Sequence, residues 1–96
     1  MNNKRRGTET ENKYRLKLLE EGWDIVQRSA GSKSPIDIWA LKEEEVMLIQ
    51  MKRSKTKNFS YKKELQKFIK IKVPISCTKR FVVWVDRIGF ITIYEN

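Results

Sequence analysis

Histidine is absent from this 96-residue sequence, and cysteine occurs only once, at Cys77. These shortages exclude histidine-based acid–base catalysis, an internal disulfide and a zinc site built from cysteines. A metal site would have to use oxygen ligands, which favours hard cations. No apolar run approaches the roughly 20 residues of a membrane span, and the N-terminal segment lacks the apolar core of a signal peptide. We therefore expect a cytoplasmic protein with no membrane association.

The length and composition predict one globular domain over residues 1–96. A hydrophobic content of 40% is too high for a disordered chain, and 96 residues leave no room for a second core. The polar, basic segment Met1–Arg6 is predicted to be a flexible arm. Such a short chain has a modest core, so dimerisation would help to stabilise it.

Acidic residues are scarce in the second half of the chain. Between Lys52 and Arg80, eleven lysine or arginine residues accompany a single acid, Glu64, whereas the net charge of the whole chain is +9. A basic block of this density predicts a polyanionic partner, most simply nucleic acid, with which the protein would associate in the nucleoid. The alternative is a solvated, lysine-rich surface of a heat-adapted protein.

The hydrophobic pattern predicts the element order α-β-β-β-α-β-β without internal repeats. The predicted elements are a helix over Thr8–Glu21, strands over Trp23–Arg28, Ile36–Leu41 and Val46–Lys52, a helix over Asn58–Val73, and strands over Arg80–Asp86 and Phe90–Tyr94. Thr8 and Glu11 have the spacing of a capping box, and Gly22 is expected to end the first helix. The residues predicted to face the core from the helices are Tyr14, Leu18 and Leu19, then Leu65, Phe68, Ile69 and Val73.

Polar side chains interrupt the two apolar strands between Asp37 and Lys52. Asp37 lies at the start of one strand, and Gln50 and Lys52 lie at the end of the next. Each would cost about 1–3 kcal/mol if it were buried without a partner. Taken singly, a strand-start aspartate is usually hydrogen-bonded at an edge, and a strand-end lysine usually extends to water. Their joint arrangement in one hairpin favours a shared function.

Hydrolysis of a phosphodiester by such a group would use a cation bound by oxygen ligands. Asp37 and Glu11 supply carboxylates for Mg²⁺, and Gln50 and the backbone carbonyl of Met51 supply neutral oxygens. Lys52 would orient the attacking water or stabilise charge on the phosphate. The simpler interpretation of Glu11 is a capping role.

These residues resemble the PD-(D/E)XK nuclease superfamily, most closely the archaeal Holliday-junction resolvases. The resemblance runs from Lys4 or Arg6 to about Lys72, some two-thirds of the chain. Its motifs are Arg-Gly-Thr-Glu-Thr-Glu ending at Glu11, the loop 31–35 followed by Ile-Asp-Ile around Asp37, Gln-Met-Lys ending at Lys52, and Gln66. Gln50 departs from the family's glutamate and removes one negative charge, while Ile36 separates Pro35 from Asp37. Because other branches of the superfamily carry Gln-x-Lys, we interpret the site as active with weaker metal affinity.

The resemblance implies a restriction-endonuclease-like α/β fold with a central mixed sheet flanked by helices. It also implies a homodimeric, Mg²⁺-dependent endonuclease that makes paired cuts in four-way DNA junctions, with Mn²⁺ as a substitute and Ser32 near the scissile phosphate. The alternatives are a duplex-cleaving restriction or repair nuclease, a nickase, and an inactive junction-binding module. Phe68, Phe90 and Tyr94 are candidates for the dimer interface. The residues expected to contact DNA are Lys4, Arg5, Arg6, Lys33, Arg53, Lys55, Lys57, Lys62 and Lys63.

Overall fold

The first helix is longer than its sequence pattern predicts. The computed structural model describes residues 3–29, 35–74 and 76–96, with side chains from Thr8 onward. Helix α1 spans Asn3–Glu20, so it includes most of the segment predicted to be an arm; Met1 and Asn2 lie outside the described residues. Thr8 and Glu11 lie inside this helix, and the predicted capping box is therefore wrong. The predicted end is confirmed, because Gly22 has a φ of +104°, a conformation that favours glycine.

Five strands and one further helix follow α1. They are β1 (Ile25–Arg28), β2 (Ile38–Lys42), β3 (Glu45–Ser54), α2 (Lys62–Ile69), β4 (Cys77–Val85) and β5 (Gly89–Glu95). The order α-β-β-β-α-β-β confirms the prediction. Helix α2 is much shorter than the predicted Asn58–Val73, since it begins after Tyr61 and ends well before Pro74.

The strands form one mixed sheet in the order β1-β2-β3-β4-β5. Strands β3 and β4 pair in parallel, and the other neighbours pair antiparallel. The parallel pair requires the crossover that contains α2. Strand β3 is the middle strand, and the continuously apolar β4 lies beside it in the interior of the sheet.

Each face of the sheet carries its own apolar cluster. On the first face, which we call the α1 face, Tyr14 and Leu18 of α1 pack against Ile38, Ile49 and other strand residues. On the opposite α2 face, the cluster consists of Phe68 of α2 with Phe81, Val83 and Val85 of β4, and partly buried residues pack around them. Because side chains alternate along β3, Met47, Ile49 and Met51 lie on the α1 face, and Leu48, Gln50 and Lys52 lie on the α2 face.

The burial of individual helix residues differs in part from the predictions. Tyr14 and Leu18 are buried, but Leu19 and Ile69 are 43% and 42% exposed and do not belong to the core. Phe68 is fully buried within the chain, so it is unsuited to a dimer interface. Phe90 and Tyr94 are half-buried, and each packs against one of the two clusters. Among the described helices, none has the length and apolar character needed to cross a membrane.

Candidate active site

Asp37 lies immediately before β2, and it is tied to β3 by two hydrogen bonds. Its N–H donates to the carbonyl of Ile49 at 2.9 Å, and its Oδ2 accepts a bond from the N–H of Met51 at 2.8 Å. Since Ile38 pairs with Ile49, the antiparallel register places Asp37 beside Gln50. The backbone of β3 thus fixes the carboxylate at the end of the hairpin where the polar residues were predicted to meet.

Gln50 carries a buried oxygen that is unsatisfied. The residue is 7% exposed, and its Oε1 has no hydrogen-bond partner in the described part of the chain. An unpaired buried polar atom of this kind costs about 1–3 kcal/mol. A cation bound beside Asp37 would give this oxygen a partner.

Burial, Glu11 and Lys52 influence the ionisation of Asp37. Burial raises the pKa of Asp37 above its usual value; the Met51 N–H lowers the pKa, the negative charge of Glu11 raises it, and the positive charge of Lys52 lowers it. The structure therefore brings Glu11 and Lys52 within electrostatic range of Asp37. Lys52 is half-buried at the end of β3, and no described residue forms a hydrogen bond or an ion pair with its ammonium group.

Glu11 is held by an arginine that the sequence pattern did not single out. Its Oε1 accepts a bond from Arg28 Nε at 2.8 Å, and Arg28 Nη2 also donates to the hydroxyl of Thr8 at 3.2 Å. Glu11 would have to leave Arg28, or share it, in order to bind a cation. An arginine at the end of a short strand carries no local signal of this role, because its partner lies 17 residues away in the sequence.

An open pocket adjoins these residues between α1 and the end of β3. Its lining residues are Thr10, Glu11, Met51, Lys52 and Arg53. Glu11, Lys52 and Arg53 therefore all contribute to one concave surface. Such a surface is suited to a phosphate with a cation beside it.

The donor set fits a hard divalent cation. Asp37 contributes a carboxylate and Gln50 an unsatisfied amide oxygen, which are the oxygen ligands that Mg²⁺ prefers. In the described ranges 3–29, 35–74 and 76–96, no group of three acidic, histidine or cysteine side chains is arranged to hold a metal. Gln50 supplies an amide and not a carboxylate, so it does not count toward such a group. The carboxylate of Glu11 is bound to Arg28.

The predicted DNA-contacting residues differ in their surroundings. Lys55, Lys57, Lys62 and Lys63 are exposed, whereas Arg53 forms an ion pair with Asp86 at 3.1 Å. Lys4, Arg5 and Arg6 belong to α1 by their backbone, but their side chains are outside the description, and Ser32 and Lys33 lie outside the described residues. Lys79, which contributes to the basic block, is 2% exposed and cannot contact a partner.

The fold and this site together define an α/β protein of the restriction-endonuclease-like type. The sheet order and the α-β-β-β-α-β-β succession agree with that fold, and the Asp37–Gln50–Lys52 group lies at the start of β2 and in the second half of β3. The family model of the archaeal Holliday junction resolvases (Hjc) matches residues 2–81, and the chain therefore belongs to this family of resolvase-type nucleases of DNA recombination and repair. A comparison with curated proteins finds no match.

Proposed function

We propose that this protein is a divalent-cation-dependent endonuclease that acts as a homodimer and makes paired cuts in four-way DNA junctions. The buried, unsatisfied oxygen of Gln50 beside the carboxylate of Asp37 carries this proposal. A folded chain tolerates such an atom where a ligand satisfies it. Membership of the resolvase family supports the choice of a four-way junction as the substrate.

Asp37 and Gln50 would hold the cation, with the carbonyl of Met51 and the carboxylate of Glu11 as further ligands. A bound Mg²⁺ or Mn²⁺ would neutralise phosphate charge and lower the pKa of water at the site. Arg28 binds only Oε1 of Glu11, so the other carboxylate oxygen of Glu11 remains for binding the cation. Lys52 extends from the same face of β3 as Gln50, where its ammonium would orient water and stabilise the charge that develops on the phosphate.

The exposed lysines beyond β3 would supply affinity for the DNA backbone. Lys55 and Lys57 follow the site directly, and Lys62 and Lys63 begin α2. Contacts of this kind are made to phosphates, so the affinity would depend on salt and not on sequence. Selection of a junction would then depend on the spacing of two sites, which is why we include a homodimer in the proposal.

Cleavage of matched DNA structures tests the proposal. The purified chain would be incubated with Mg²⁺ and a four-way junction, nicked duplex, flap or plain duplex of the same sequence, with Lys52→Met as the inactive control. We expect symmetric paired incisions in the junction alone, and a dimeric mass in light scattering. Indiscriminate cutting of plain duplex would instead favour a restriction or repair nuclease.

A second candidate function is a junction-binding module without catalysis. The observation that favours it is the combination of an amide at Gln50 with the engagement of Glu11 by Arg28, which leaves the metal pocket with little negative charge. Tight junction binding with no cleavage in either Mg²⁺ or Mn²⁺ would support this module. Recovery of cleavage in Gln50→Glu would identify the amide as the reason.

A further inference from the structure

The carboxylate of Asp86, which also accepts a bond from the indole of Trp84, holds Arg53 at the wall of the pocket. Asp86 Oδ1 accepts bonds from Arg53 Nε at 3.3 Å, from Arg53 Nη2 at 3.1 Å and from Trp84 Nε1 at 3.2 Å. Trp84 is the register partner of Arg53 on the neighbouring strand. The N–H of Asp86 also donates to the carbonyl of Ser54 at 3.0 Å, so both the backbone and the side chain of Asp86 are fixed against β3.

This arrangement uses one edge of the Arg53 guanidinium and leaves another available. The Nε and Nη2 groups face Asp86, and no other described side chain accepts a bond from this guanidinium. The remaining Nη1–Nη2 edge carries two donors in the planar geometry that matches two oxygens of a phosphate. Arg53 is 35% exposed at its side chain and lines the same pocket as Lys52 and Glu11.

We propose that Asp86 and Trp84 are positioning residues that direct the Nη1–Nη2 edge of Arg53 toward a DNA phosphate neighbouring the one at Lys52. This inference rests on the proposed nuclease function and assigns a phosphate contact within it. It explains why a carboxylate is placed beside a pocket that is to receive a polyanion. An anion there would only repel DNA unless it organised a cation that gains more from the contact.

Removal of Asp86 should change the affinity for DNA in opposite directions, depending on whether Asp86 orients Arg53 or only neutralises its charge. If Asp86 only neutralised Arg53, as an exposed ion pair commonly does, its loss would remove a repulsive charge and tighten DNA binding. If Asp86 orients Arg53, its loss weakens binding even though the protein becomes more positive. The effect should then be absent when Arg53 is also absent.

Binding of a labelled four-way junction and a matched duplex, measured by fluorescence anisotropy at several salt concentrations without divalent metal, tests the inference. We expect Arg53→Ala to reduce the slope of log Kd against log salt by about 1, as for one lost phosphate contact. Asp86→Ala should weaken binding severalfold, and Asp86→Asn, which keeps an acceptor oxygen, should bind at least as tightly as the wild type. In Arg53→Ala/Asp86→Ala, binding should be no weaker than in Arg53→Ala alone.

Lys17→Ala is the matched control, because Lys17 forms a similar exposed ion pair with Glu21 in the last turn of α1. It should leave the slope unchanged, and thermal unfolding of every variant shows that the folded state is intact. Tighter binding of Asp86→Ala, or an unchanged slope in Arg53→Ala, would overturn the inference while the proposed function stands. Failure of the wild type to bind either DNA would instead overturn the proposed function.

Discussion

Lys52 and Lys79 lie on neighbouring strands and on the same face of the sheet, yet their surroundings differ completely. In the parallel register, Lys79 pairs with Leu48, which lies two residues before Gln50 and four residues before Lys52 on β3. Lys79 is 2% exposed, and its Nζ donates to the carbonyls of Phe68, Ile69 and Ile71 at 3.1, 2.6 and 2.8 Å. Lys52 is half-buried and has no such partner among the described residues.

Lysine thus stabilises the fold at one of these positions, and at the other it has no partner among the described residues. The three carbonyls around Lys79 belong to the end of α2 and the residues after it, where helix carbonyls lack partners and where the helix dipole favours a cation. Lys79 thus supplies a donor to the carbonyls of Ile69 and Ile71, and it adds a second donor to the carbonyl of Phe68, which also accepts a bond from the Ile71 N–H. Lys52 instead keeps its donors available beside Asp37, which is the condition for acting on a substrate.

The largest expected effect comes from Lys52→Met. This change removes the ammonium and keeps the length of the side chain, so cleavage of a four-way junction with Mg²⁺ should fall by about a thousandfold or more if Lys52 stabilises the reacting phosphate. The free energy of unfolding should change by only about 0.5 kcal/mol, because no described partner is lost. Normal cleavage by this variant would contradict the role given to Lys52.

Lys79→Met should have the opposite profile. The variant removes the donor that three carbonyls share, of which, among the described residues, only that of Phe68 keeps another bond, from the Ile71 N–H, and it should lower the free energy of unfolding by about 3 kcal/mol, measured by urea denaturation. At a temperature where the variant is folded, cleavage and the salt dependence of DNA binding should match the wild type, since Lys79 is inaccessible. A reduced salt slope would show that Lys79 contacts DNA after all.

Gln50→Glu changes the charge of the candidate site itself. The added carboxylate should strengthen Mg²⁺ binding by roughly tenfold and keep or increase cleavage, as one more anionic ligand attracts a hard cation. In the metal-free protein it should lower stability, because it adds negative charge beside Asp37. Calorimetric titration with Mg²⁺ measures the first effect; weaker binding than in the wild type would exclude Gln50 as a ligand.

The smallest effect concerns pH. Because the pKa of Asp37 is raised in the folded protein, its contribution to stability is fully present at low pH, below its ordinary value of 3.8, and is lost as the pH rises through the raised value. Without metal, Asp37→Asn should therefore gain stability relative to the wild type over this rise. Unfolding curves from pH 3 to pH 7 test this difference, and parallel curves for the two proteins would contradict it.

The sequence singled out the polar residues of the candidate site more readily than it predicted the limits of the helices. Asp37, Gln50 and Lys52 were recognisable because each interrupts an otherwise apolar strand, and the hairpin register then brings two of them together. The end of α2 was not recognisable, because it coincides with carbonyls that Lys79 binds from eight to eleven residues away. A count of charges likewise could not show that Lys79 is buried.

Local sequence patterns also could not predict which partners the other charged side chains have. Arg28 reaches Glu11 across 17 residues, and Arg53 reaches Asp86 across 33. Such pairs are set by how the strands are ordered in the sheet, and no periodicity of a single segment contains that order. Ionic roles of this kind become visible only when the topology is known.

The hydrogen bond between the Met51 amide and Asp37 has a spectroscopic consequence. An amide proton that points at a carboxylate resonates further downfield when the carboxylate is charged, so the Met51 signal in a ¹H–¹⁵N spectrum reports on Asp37 directly. Its titration with acid would follow the protonation of this single group without any mutation. Its shift on addition of Mg²⁺ would show whether the cation competes for the oxygen that this amide occupies.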